Sequence, residues 1–572
     1  MSFPTLTENS LITLNQRYLM KDANGEVAET VEDLFWRVAS WNARAEKPGA
    51  QVAYAARVHD SMRSLLWLPS SPILMNSAVG RMGSLAACYV LPIEDDLDDI
   101  FDRVKDAATI TKQGGGIGYA FSRLRASGSI VTSSGGQASG PVSFIENFDV
   151  AAKTVKQGGR RRAAQMGVLR VDHPDILQFI DVKALDNVSL ANFNLSVAVT
   201  DAFMEAVNNE QNYTLFDPRT GSPVGELYAP DVWHRLAEKA WVGGDPGVVF
   251  LDKANAAHAN RHLGLIETPN ACSESFMLPW ETCILGSVNL AAHVEDGIMR
   301  FGRLAESCHE LTRFLDNTID VSAYPLPQIE ARTKSTRRIG VGVMGLADAM
   351  IECGIQYDSE RGVEFAQRVM REVQTAVHAS SEALAQERGC YPAWVGSKSY
   401  NAGRMMRNTD PVVIAPTGTI SIIAGVSSGI EPLFAVEYER NVLDGRRLVE
   451  AHPLKGVAPD HLLRTAHDIS PEWHLRMQAA VQRYTDNAVS KTINMPHEAS
   501  VEDVKRAYQM AYNFDLRSVS IYRDGSKVGQ VLVVAEQPDN AHLCPQCADR
   551  LVHQDGCRRC INVRCGWSAC DV

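Results

Sequence analysis

Residues 268–290, TPNACSESFMLPWETCILGSVNL, carry an amide, a thiol and a carboxylate at alternate positions of one short stretch. These groups belong to Asn270, Cys272 and Glu274, and in an extended or loop backbone alternate side chains project to the same side. The preceding threonine and proline bias the backbone away from helix, and the apolar residues and proline that follow indicate a buried turn. The stretch is therefore predicted to be a loop that runs through the protein interior.

The same stretch also has a simpler interpretation. An Asn-x-Cys-x-Glu triplet occurs by chance, and a buried free cysteine usually behaves as a small hydrophobic side chain. The triplet alone does not establish catalysis, so other segments of the chain are needed to decide between the two.

Beyond Ser70, short β-branched runs alternate with longer amphipathic stretches, of which 359–389 is one. The runs are VLRV (168–171), NLSVAV (194–199), GVVFL (247–251), VVIA (412–415) and VSIY (519–522). This alternation predicts an α/β architecture with parallel strands, without distinguishing an open sheet from a barrel. Residues 1–69 instead show apolar residues at helical spacing, which predicts a helical N-terminal region.

The overall composition is that of an ordinary globular protein, with 45% hydrophobic and 22% charged residues. A net charge of −12 argues against a nucleic-acid-binding surface, which requires clustered basic residues. No apolar run approaches the ~18 residues of a membrane span, and the start MSFPTLTENS lacks the pattern of a signal peptide. We therefore expect a cytoplasmic protein, and any nucleotide that it binds to be a small one.

Three glycine-containing segments suggest contact with nucleotides, and each has an alternative. KQGGGIG at 112–118 lacks the features of a P-loop or a dinucleotide fingerprint, because no Gly-Lys-Ser/Thr follows and Phe121 replaces the third glycine. KQGGRRRAAQMG at 156–167 suits phosphates or a base edge, but also a solvated basic loop. APTGTIS at 415–421 can present N–H and hydroxyl groups to an anion, as an ordinary capped helix start also would.

Taken together, several segments resemble the large catalytic chain of ribonucleotide reductases, in the order in which that family carries them. They are SSPILMNSAVGRMGSLAACYVLP (70–92), KQGGGIG (112–118), KQGGRRRAAQMG (156–167), CILGSVNL (283–290), APTGTISIIAGVSSGIEPLF (415–434), AVSKTINMP (488–496) and VSIYRDGS (519–526). The resemblance extends from RYLM at 17–20 to the terminal cysteines. It implies a ten-stranded α/β barrel with the Cys272 loop passing through its centre, and reduction of ribonucleotides to 2′-deoxyribonucleotides.

The resemblance also implies a role for each reacting side chain. Cys272 becomes the thiyl radical that abstracts the 3′-hydrogen, Glu274 acts as the base on the 3′-hydroxyl, and Asn270 hydrogen-bonds the sugar. Cys88 and Cys283 are the pair whose oxidation to a disulfide supplies two electrons. The implied substrate-binding residues are Ser71, Ala87, Cys88, Gly116, Asn270, Ala271, Cys272, Ser273, Glu274, Pro416, Thr417, Gly418, Thr419 and Ile420.

The sequence departs from the family pattern near the reacting groups. Where the family usually has Asn-Pro-Cys-Gly-Glu-Gln, this chain has Ala271, Ser273 and Ser275, and Ile284 replaces the usual Asn after Cys283. The reacting side chains are all retained. The rigidity of the loop is in question, because Pro to Ala frees φ and Gly to Ser disfavours positive φ.

Regulation by nucleotides is a further implication of the resemblance. Asp95 and Arg125 are placed near the site for a specificity effector, and the 156–167 loop connects a bound deoxynucleotide to the choice of substrate. Only sixteen residues precede Arg17, so we expect no N-terminal ATP-binding regulatory module.

Six of the twelve cysteines crowd into 544–570, which in a cytosolic chain indicates redox or metal chemistry. Cys565 and Cys570 match the mobile pair that re-reduces the active-site disulfide by thiol exchange. The expected domains are therefore a helical region (1–69), a barrel (70–526), a flexible linker (527–543) and a Cys-rich tail (544–572). A zinc site is predicted from the two C-x2-C pairs, with a purely redox role left open: Cys544, Cys547, Cys557 and Cys560.

The source of the radical separates two classes of this family. Chains that receive the radical from a separate metal-containing subunit carry adjacent tyrosines, whereas here Ile521 precedes Tyr522 and Arg523 follows it. The segments YRDGS, APTGTIS and AVSKTINMP resemble the adenosylcobalamin-dependent class, and no Asp-x-His-x-x-Gly sequence is present to displace the base of that cofactor.

We therefore expect adenosylcobalamin as the cofactor, with the class fed by a separate subunit as the alternative. A nucleotide-binding regulatory protein with a zinc tail is disfavoured, because it would not need both the loop triplet and the cysteine pair. The expected partners are a ribonucleotide, deoxynucleotide effectors, a thioredoxin- or glutaredoxin-type reductant and a second copy in a homodimer. The pattern leaves open whether the substrate is a di- or triphosphate.

Overall fold

Helices and strands alternate through most of the chain, as the sequence pattern predicts. The computed structural model describes residues 6–79, 83–132, 135–155, 164–183, 190–441 and 447–526, together with the strands at 532–534, 551–554, 557–560 and 568–570. For 438–441, 447–451 and the four tail strands, only the backbone is described.

Three helices form the N-terminal region: α1 (Glu8–Arg17), α2 (Val31–Asn42) and α3 (Gln51–Arg63). Helix α2 begins with a capping box, in which the Thr30 hydroxyl accepts from the Asp33 backbone N–H and the Asp33 carboxylate accepts from the Thr30 backbone N–H. The predicted helical N-terminal region is confirmed.

The remaining helices lie between or after the strands. They are α4 (Ser71–Asn76), α5 (Leu97–Lys112), α6 (Pro141–Thr154), α7 (Ile176–Asp181), α8 (Asp201–Asn208), α9 (Ala229–Gly243), α10 (Leu251–Ala257), α11 (Phe301–Val321), α12 (Pro327–Thr336), α13 (Leu346–Glu352), α14 (Glu360–Arg388), α15 (Lys398–Asn401), α16 (Ile420–Ala424), α17 (Pro471–Gln482) and α18 (Val501–Asn513). No helix among the described residues is long and apolar enough to cross a membrane.

The strands are β1 (Trp67–Pro69), β2 (Cys88–Leu91), β3 (Gly116–Ala120), β4 (Gln165–Arg170), β5 (Phe193–Val199), β6 (Asn212–Phe216), β7 (Pro223–Tyr228), β8 (Gly247–Phe250), β9 (Thr268–Pro269), β10 (Phe276–Met277), β11 (Thr282–Asn289), β12 (Val294–Glu295), β13 (Ile298–Met299), β14 (Ile339–Met344), β15 (Glu437–Asn441), β16 (Arg447–Ala451), β17 (Thr492–Met495), β18 (Ser518–Arg523), β19 (Leu532–Val534), β20 (Leu551–Gln554), β21 (Cys557–Cys560) and β22 (Ser568–Cys570).

The main sheet consists of two groups of parallel strands joined by antiparallel pairs. Strands β2, β3, β4, β5 and β8 pair in parallel in that order. In the second group β11 pairs in parallel with β14, and β17 with β18. Antiparallel pairs join the groups at β2/β11 and at β8/β18, and β1 adds to the outside of β11.

The segment predicted as the strand VVIA (412–415) closes this sheet into a ring. The Val413 N–H donates to the Val341 carbonyl oxygen of β14 (3.1 Å), and the Ser490 N–H donates to the Ile414 carbonyl oxygen (2.9 Å). Both contacts are parallel bridges, so this segment completes the second group between β14 and the chain that enters β17. The α/β barrel is thereby confirmed, with five strands in each half.

A short hairpin occupies the inside of the barrel. Strands β9 and β10 pair antiparallel, and residues 270–275 form the turn between them. The backbone of β9 lies so close to β3 that a Cβ added at Gly118 would be 1.8 Å from the Pro269 carbonyl oxygen. Gly118 is therefore the position at which the barrel wall makes room for the hairpin.

The chain divides into two compact units. The first contains the barrel and comprises residues 1–434 and 458–528, and the second comprises 435–457 and 529–572. The sequence predicts one barrel segment through residue 526 and does not indicate that 435–457 belong with the tail. The tail predictions lie outside the described side chains: the zinc set, the Cys565 and Cys570 pair, and the flexible linker.

Gly118→Ala tests whether the hairpin depends on this close approach. We expect the substitution to lower the apparent free energy of unfolding by about 1–3 kcal/mol, because either the hairpin or β3 must shift. Urea unfolding followed by circular dichroism measures the change. Gly302→Ala in α11 is the matched control, since an added Cβ there meets nothing within 4 Å; an equal loss of stability in both variants would contradict the idea.

Candidate active site

The turn of the internal hairpin is closed by the side chain of Asn270. Its Oδ1 accepts from the Ser275 backbone N–H (3.0 Å), while the Asn270 N–H donates to the Ser275 carbonyl oxygen (2.9 Å). Ser273 adopts a positive φ of 61° in this turn. A glycine tolerates that conformation freely, so the serine found here costs on the order of 1–2 kcal/mol in backbone strain.

Polar groups of the barrel wall hold the hairpin from several sides. The Asn487 side chain accepts from the Phe276 N–H (2.8 Å) and donates to the Phe276 carbonyl oxygen (2.9 Å). The Ala488 N–H donates to the Glu274 carbonyl oxygen (3.0 Å), and the Asn194 amide donates to the Ala271 carbonyl oxygen (3.1 Å). These contacts satisfy the buried backbone of the turn, as a loop without access to water requires.

The predicted reacting groups come together at the tip of this hairpin. Cys272 is exposed, while Asn270 and Glu274 are buried. The Asn270 amide donates to Cys88 Sγ (2.9 Å), and the Cys88 thiol donates to Glu274 Oε1 (3.5 Å). Amide, thiol and carboxylate therefore form one hydrogen-bonded chain beside the exposed thiol of Cys272.

Glu274 has the properties expected of a general base. Burial raises the pKa of its carboxyl group, although hydrogen bonds from Asn270 and Cys88 oppose that shift. Its second oxygen, Oε2, is buried and accepts no hydrogen bond from the described residues. A carboxylate with a raised pKa and a vacant buried oxygen is suited to accept a proton from a bound hydroxyl group.

Cys88 and Cys283 lie directly opposite each other on the antiparallel strands β2 and β11. Both are buried free thiols in this structure. Side chains directly opposite on such strands have Cβ atoms roughly 4.5–5.5 Å apart, whereas a disulfide needs about 3.5–4.5 Å, so a small movement would join them.

The two thiols differ in their surroundings. Burial raises the pKa of Cys283 to about 12, and the cation of Arg338 opposes that shift. Arg338 is itself fully buried, between Glu281 (3.2 Å) and Asp410 (2.9 Å). Burial and the nearby Glu274 carboxylate together raise the pKa of Cys88 well above its usual value. Both thiols are therefore held in the protonated form at neutral pH.

A cavity of about 330 Å³ opens in front of these groups, a size that suits a small-molecule ligand. Ser273 does not line it, although the other thirteen residues in the predicted substrate-binding set do. They are Ser71, Ala87, Cys88, Gly116, Asn270, Ala271, Cys272, Glu274, Pro416, Thr417, Gly418, Thr419 and Ile420.

The 415–421 segment forms a tight turn at the cavity wall. Thr417 has a positive φ of 55°, and its hydroxyl accepts from the Gly429 backbone N–H (2.7 Å). Helix α16 starts directly after Thr419. The turn thus places small residues and a helix start against the cavity, in agreement with the segment's predicted position.

The N-terminal helix contributes two cavity residues that the sequence did not reveal. Arg17, the last residue of α1, donates from Nη1 to the Thr419 hydroxyl (3.4 Å). The next residue, Tyr18, shares a hydrogen bond of 2.7 Å with the Ser71 hydroxyl. Both line the cavity. The only available signal was the motif RYLM, whose spacing does not show what it contacts.

A second cavity, of about 350 Å³, meets the first at Cys272. Ser273 lines this second cavity instead of the first. Its wall also carries hydroxyl, amide and amino groups, from Asn194, Ser196, Ser490, Lys491, Ser520 and Tyr522. Cys272 is therefore exposed to two separate spaces, one on each side of the hairpin tip.

The predicted effector residues lie outside both cavities and bind each other. Arg125 Nε donates to Asp95 Oδ2 (2.8 Å), and the Arg125 backbone N–H donates to Oδ1 of the same carboxylate (3.0 Å). The hydrogen bond that Arg125 donates to Asp95 raises the pKa of Arg125. The predicted partnership of these two residues is present, while residues 156–163 of the arginine-rich loop lie outside the described part of the chain.

Fold and site together define a thiol-based oxidoreductase built on an α/β barrel. Residues 86–522 match the family model for the ribonucleotide reductase barrel domain, and residues 5–81 match the ribonucleotide reductase all-alpha domain. The chain therefore belongs to the ribonucleotide reductase family.

Several of its relatives are named vitamin B12-dependent ribonucleoside-diphosphate reductase. The one from Mycobacterium tuberculosis (strain H37Rv) is 44% identical, over 92% of this chain and 79% of the relative. The one from Thermoplasma acidophilum is 40% identical, over 92% and 80%. The ribonucleoside-diphosphate reductase subunit alpha of Chlamydia muridarum is 27% identical, over 90% of this chain and 58% of the relative.

Alkylation tests the burial of the cysteine pair. At pH 8 iodoacetamide should modify Cys272 before Cys88 and Cys283, whose rates should be lower by at least about a hundredfold, because they are buried and remain protonated. Peptide mass spectrometry of timed samples measures each rate. In 8 M urea the three rates should converge. Comparable rates in the folded protein would show that the pair is not buried as described.

Proposed function

We propose that this chain reduces ribonucleotides to 2′-deoxyribonucleotides with adenosylcobalamin as its cofactor. The observation that carries the proposal is the position of Cys272 between two cavities, with Asn270, Glu274 and Cys88 facing the first. Cys283 lies opposite Cys88 on the neighbouring strand. One cavity suits the nucleotide and the other suits the group that supplies the radical.

Each step of the reduction is assigned to a side chain. The thiyl radical of Cys272 takes the hydrogen atom from C3′ of the ribose, and Glu274 accepts the proton of the 3′-hydroxyl. Cys88 donates a proton to the leaving 2′-hydroxyl, which departs as water. Cys283 then gives its hydrogen atom to C2′, and the two sulfurs join as a disulfide whose extra electron passes to C3′. Glu274 returns its proton to the 3′-oxygen, and Cys272 returns the hydrogen atom to C3′.

The chain of hydrogen bonds supports these roles. The Cys88 thiol donates a hydrogen bond to Glu274. A proton can therefore pass between Cys88, which protonates the leaving 2′-hydroxyl, and Glu274, which is the base for the 3′-hydroxyl. The vacant Oε2 of Glu274 provides the acceptor for that hydroxyl. The Asn270 amide orients Cys88 and closes the turn that carries Cys272.

The second cavity fits the adenosyl portion of the proposed cofactor. An adenosyl group presents ribose hydroxyls and ring nitrogens, and the wall offers an amide at Asn194 and hydroxyls at Ser196, Ser490 and Ser520. A side chain at Gly247 would narrow this space, since an added Cβ would lie 3.2 Å from Ser196 Oγ. Once bound, adenosylcobalamin supplies the radical by cleavage of its cobalt–carbon bond.

The alternative class, fed by a separate subunit, is less well supported. The vitamin B12-dependent relatives are 40% and 44% identical, against 27% for the subunit alpha relative. At the position of the tyrosine pair, Ile521 is buried and Tyr522 lines the second cavity. The chain therefore lacks one tyrosine of the radical relay. Ile521, which stands at that position, lines the second cavity.

Further partners follow from the same proposal. The relatives' names favour a ribonucleoside diphosphate as substrate. A thioredoxin- or glutaredoxin-type reductant would restore the tail pair, deoxynucleotides would bind near Asp95 and Arg125, and a second copy would complete a homodimer. The tail spacing supports one zinc ion at the two C-x2-C pairs. We also propose a cytoplasmic location, in which these thiols stay reduced.

The proposal predicts reduction of a ribonucleotide by this chain alone when adenosylcobalamin and a dithiol are present. Cys272→Ser should bind nucleotide but lose at least about a thousandfold in rate, because an alcohol does not replace the thiyl radical. Product formation is measured by chromatography, with Cys390→Ser as the matched control. Activity that ignores the cofactor and appears only with a second, metal-bearing protein would overturn the proposal in favour of the alternative class.

A separate prediction concerns the tail cysteines. Cys565→Ser and Cys570→Ser should abolish turnover driven by a thioredoxin system but retain turnover with a small dithiol, which reaches the cavity directly. Cys88→Ser and Cys283→Ser should lose multiple turnover with either reductant. An equal loss in all four variants with both reductants would refute the assignment of the tail pair.

A further inference from the structure

We propose that Arg17, at the end of the N-terminal helix, binds the phosphate groups of the substrate beyond the first one. This inference rests on the proposed function, and it makes helix α1 part of the nucleotide site. The juxtaposition that supports it is a guanidinium group against the 415–421 turn, whose sequence can present N–H and hydroxyl groups to an anion.

The charges around the first cavity give the substrate a direction. Among the described residues that line it, Arg17 has the only basic side chain and Glu274 the only carboxyl group. Glu274 lies beside Cys88 and Asn270, where the sugar has to react, whereas Arg17 lies beside Thr419. A nucleotide carries its negative charges at one end, so attraction to Arg17 directs that end away from the Glu274 side of the cavity.

The backbone of α1 fixes where this guanidinium group can reach. Near the start of the helix, the Ser10 hydroxyl donates to the Ile422 carbonyl oxygen of α16 (2.8 Å). Just after its end, the Tyr18 hydroxyl shares a hydrogen bond with the hydroxyl of Ser71, which also lines the cavity (2.7 Å). Helix α1 is therefore anchored on both sides of Arg17 to elements that line the cavity.

The side chain also has suitable chemistry and position. Arg17 is half-buried, so its charge is less screened than that of a surface residue. A guanidinium group donates in a planar fork that matches two phosphate oxygens, which a neutral turn of backbone N–H groups and hydroxyls cannot replace. The 3.4 Å contact with Thr419 is long, so a phosphate oxygen would compete effectively for the same N–H group.

A purely structural role makes a different prediction. If Arg17 only holds α1 against the 417–420 turn, its loss should affect every nucleotide equally, through the shape of the cavity. If it binds the outer phosphates, its loss should affect only nucleotides that have them. The number of phosphates on the substrate therefore separates the two roles.

The experiment compares cytidine mono-, di- and triphosphate as substrates of the full chain with adenosylcobalamin and a dithiol. For Arg17→Gln we expect kcat/KM to fall by roughly 10- to 100-fold with the di- and triphosphate, mainly through KM, the effect of losing a charged hydrogen bond. With the monophosphate the change should stay within about twofold. Arg17→Lys should recover part of the loss, because it keeps the charge but not the fork.

The control is Lys21→Gln, which removes an exposed cation close to the same helix and should change none of these values. Circular dichroism and thermal melting establish that each variant is folded. An equal loss with all three nucleotides, or no loss with the diphosphate, would overturn the inference.

Equilibrium binding separates failure of this inference from failure of the proposed function. If the unmodified chain reduces none of the nucleotides, the proposed function fails, and calorimetric titration of the same proteins with cytidine mono- and diphosphate still decides the role of Arg17. A Kd for the diphosphate that rises by roughly 10- to 100-fold in Arg17→Gln, with no change for the monophosphate, supports it. Any other pattern of binding overturns it.

Discussion

The backbone N–H and carbonyl groups of a hairpin inside a barrel need hydrogen-bond partners from the protein, because they are buried away from water. The architecture of this protein depends on the side chains that supply those partners. The Asn270 side chain closes the turn from within, while Asn487 clamps both backbone groups of Phe276 from the wall. Gly118 lets the wall approach the hairpin closely enough for the Cys272 thiol to stand between two cavities. The position of the Cys272 thiol, which is proposed to react, thus follows from backbone hydrogen bonding and one missing side chain.

Burial determines the chemical state of the groups around that thiol. It raises the pKa values of Cys88, Cys283 and Glu274, so the two thiols stay protonated and the carboxyl group becomes a stronger base. The hydrogen bond from Cys88 to Glu274 connects the proposed proton donor with the proposed base. A reaction that removes water from a sugar and leaves a disulfide needs these properties side by side.

The two halves of the barrel and the N-terminal helix all contribute to the first cavity. Strand β2 brings Cys88, strand β11 brings residues 285–287, the segment after the closing strand brings the 415–421 turn, and helix α1 brings Arg17. The second cavity collects hydroxyl and amide groups from β5, β18 and the chain before β17. This arrangement separates the space proposed for the substrate from the space proposed for the cofactor, with Cys272 as the link.

Local pattern in the sequence determined the helical N-terminal region, the α/β alternation and helix α14, because amphipathic spacing and β-branched runs act over short distances. The ordered motifs determined the family and half of the residues that line the first cavity. Only the tertiary structure decided three other features. They are the closure of the ring through 412–415, the turn of Ser273 toward the second cavity, and the placement of Arg17 against Thr419. Each depends on segments far apart in the chain, about 400 residues for Arg17 and Thr419, whose meeting is determined by packing and not by local spacing.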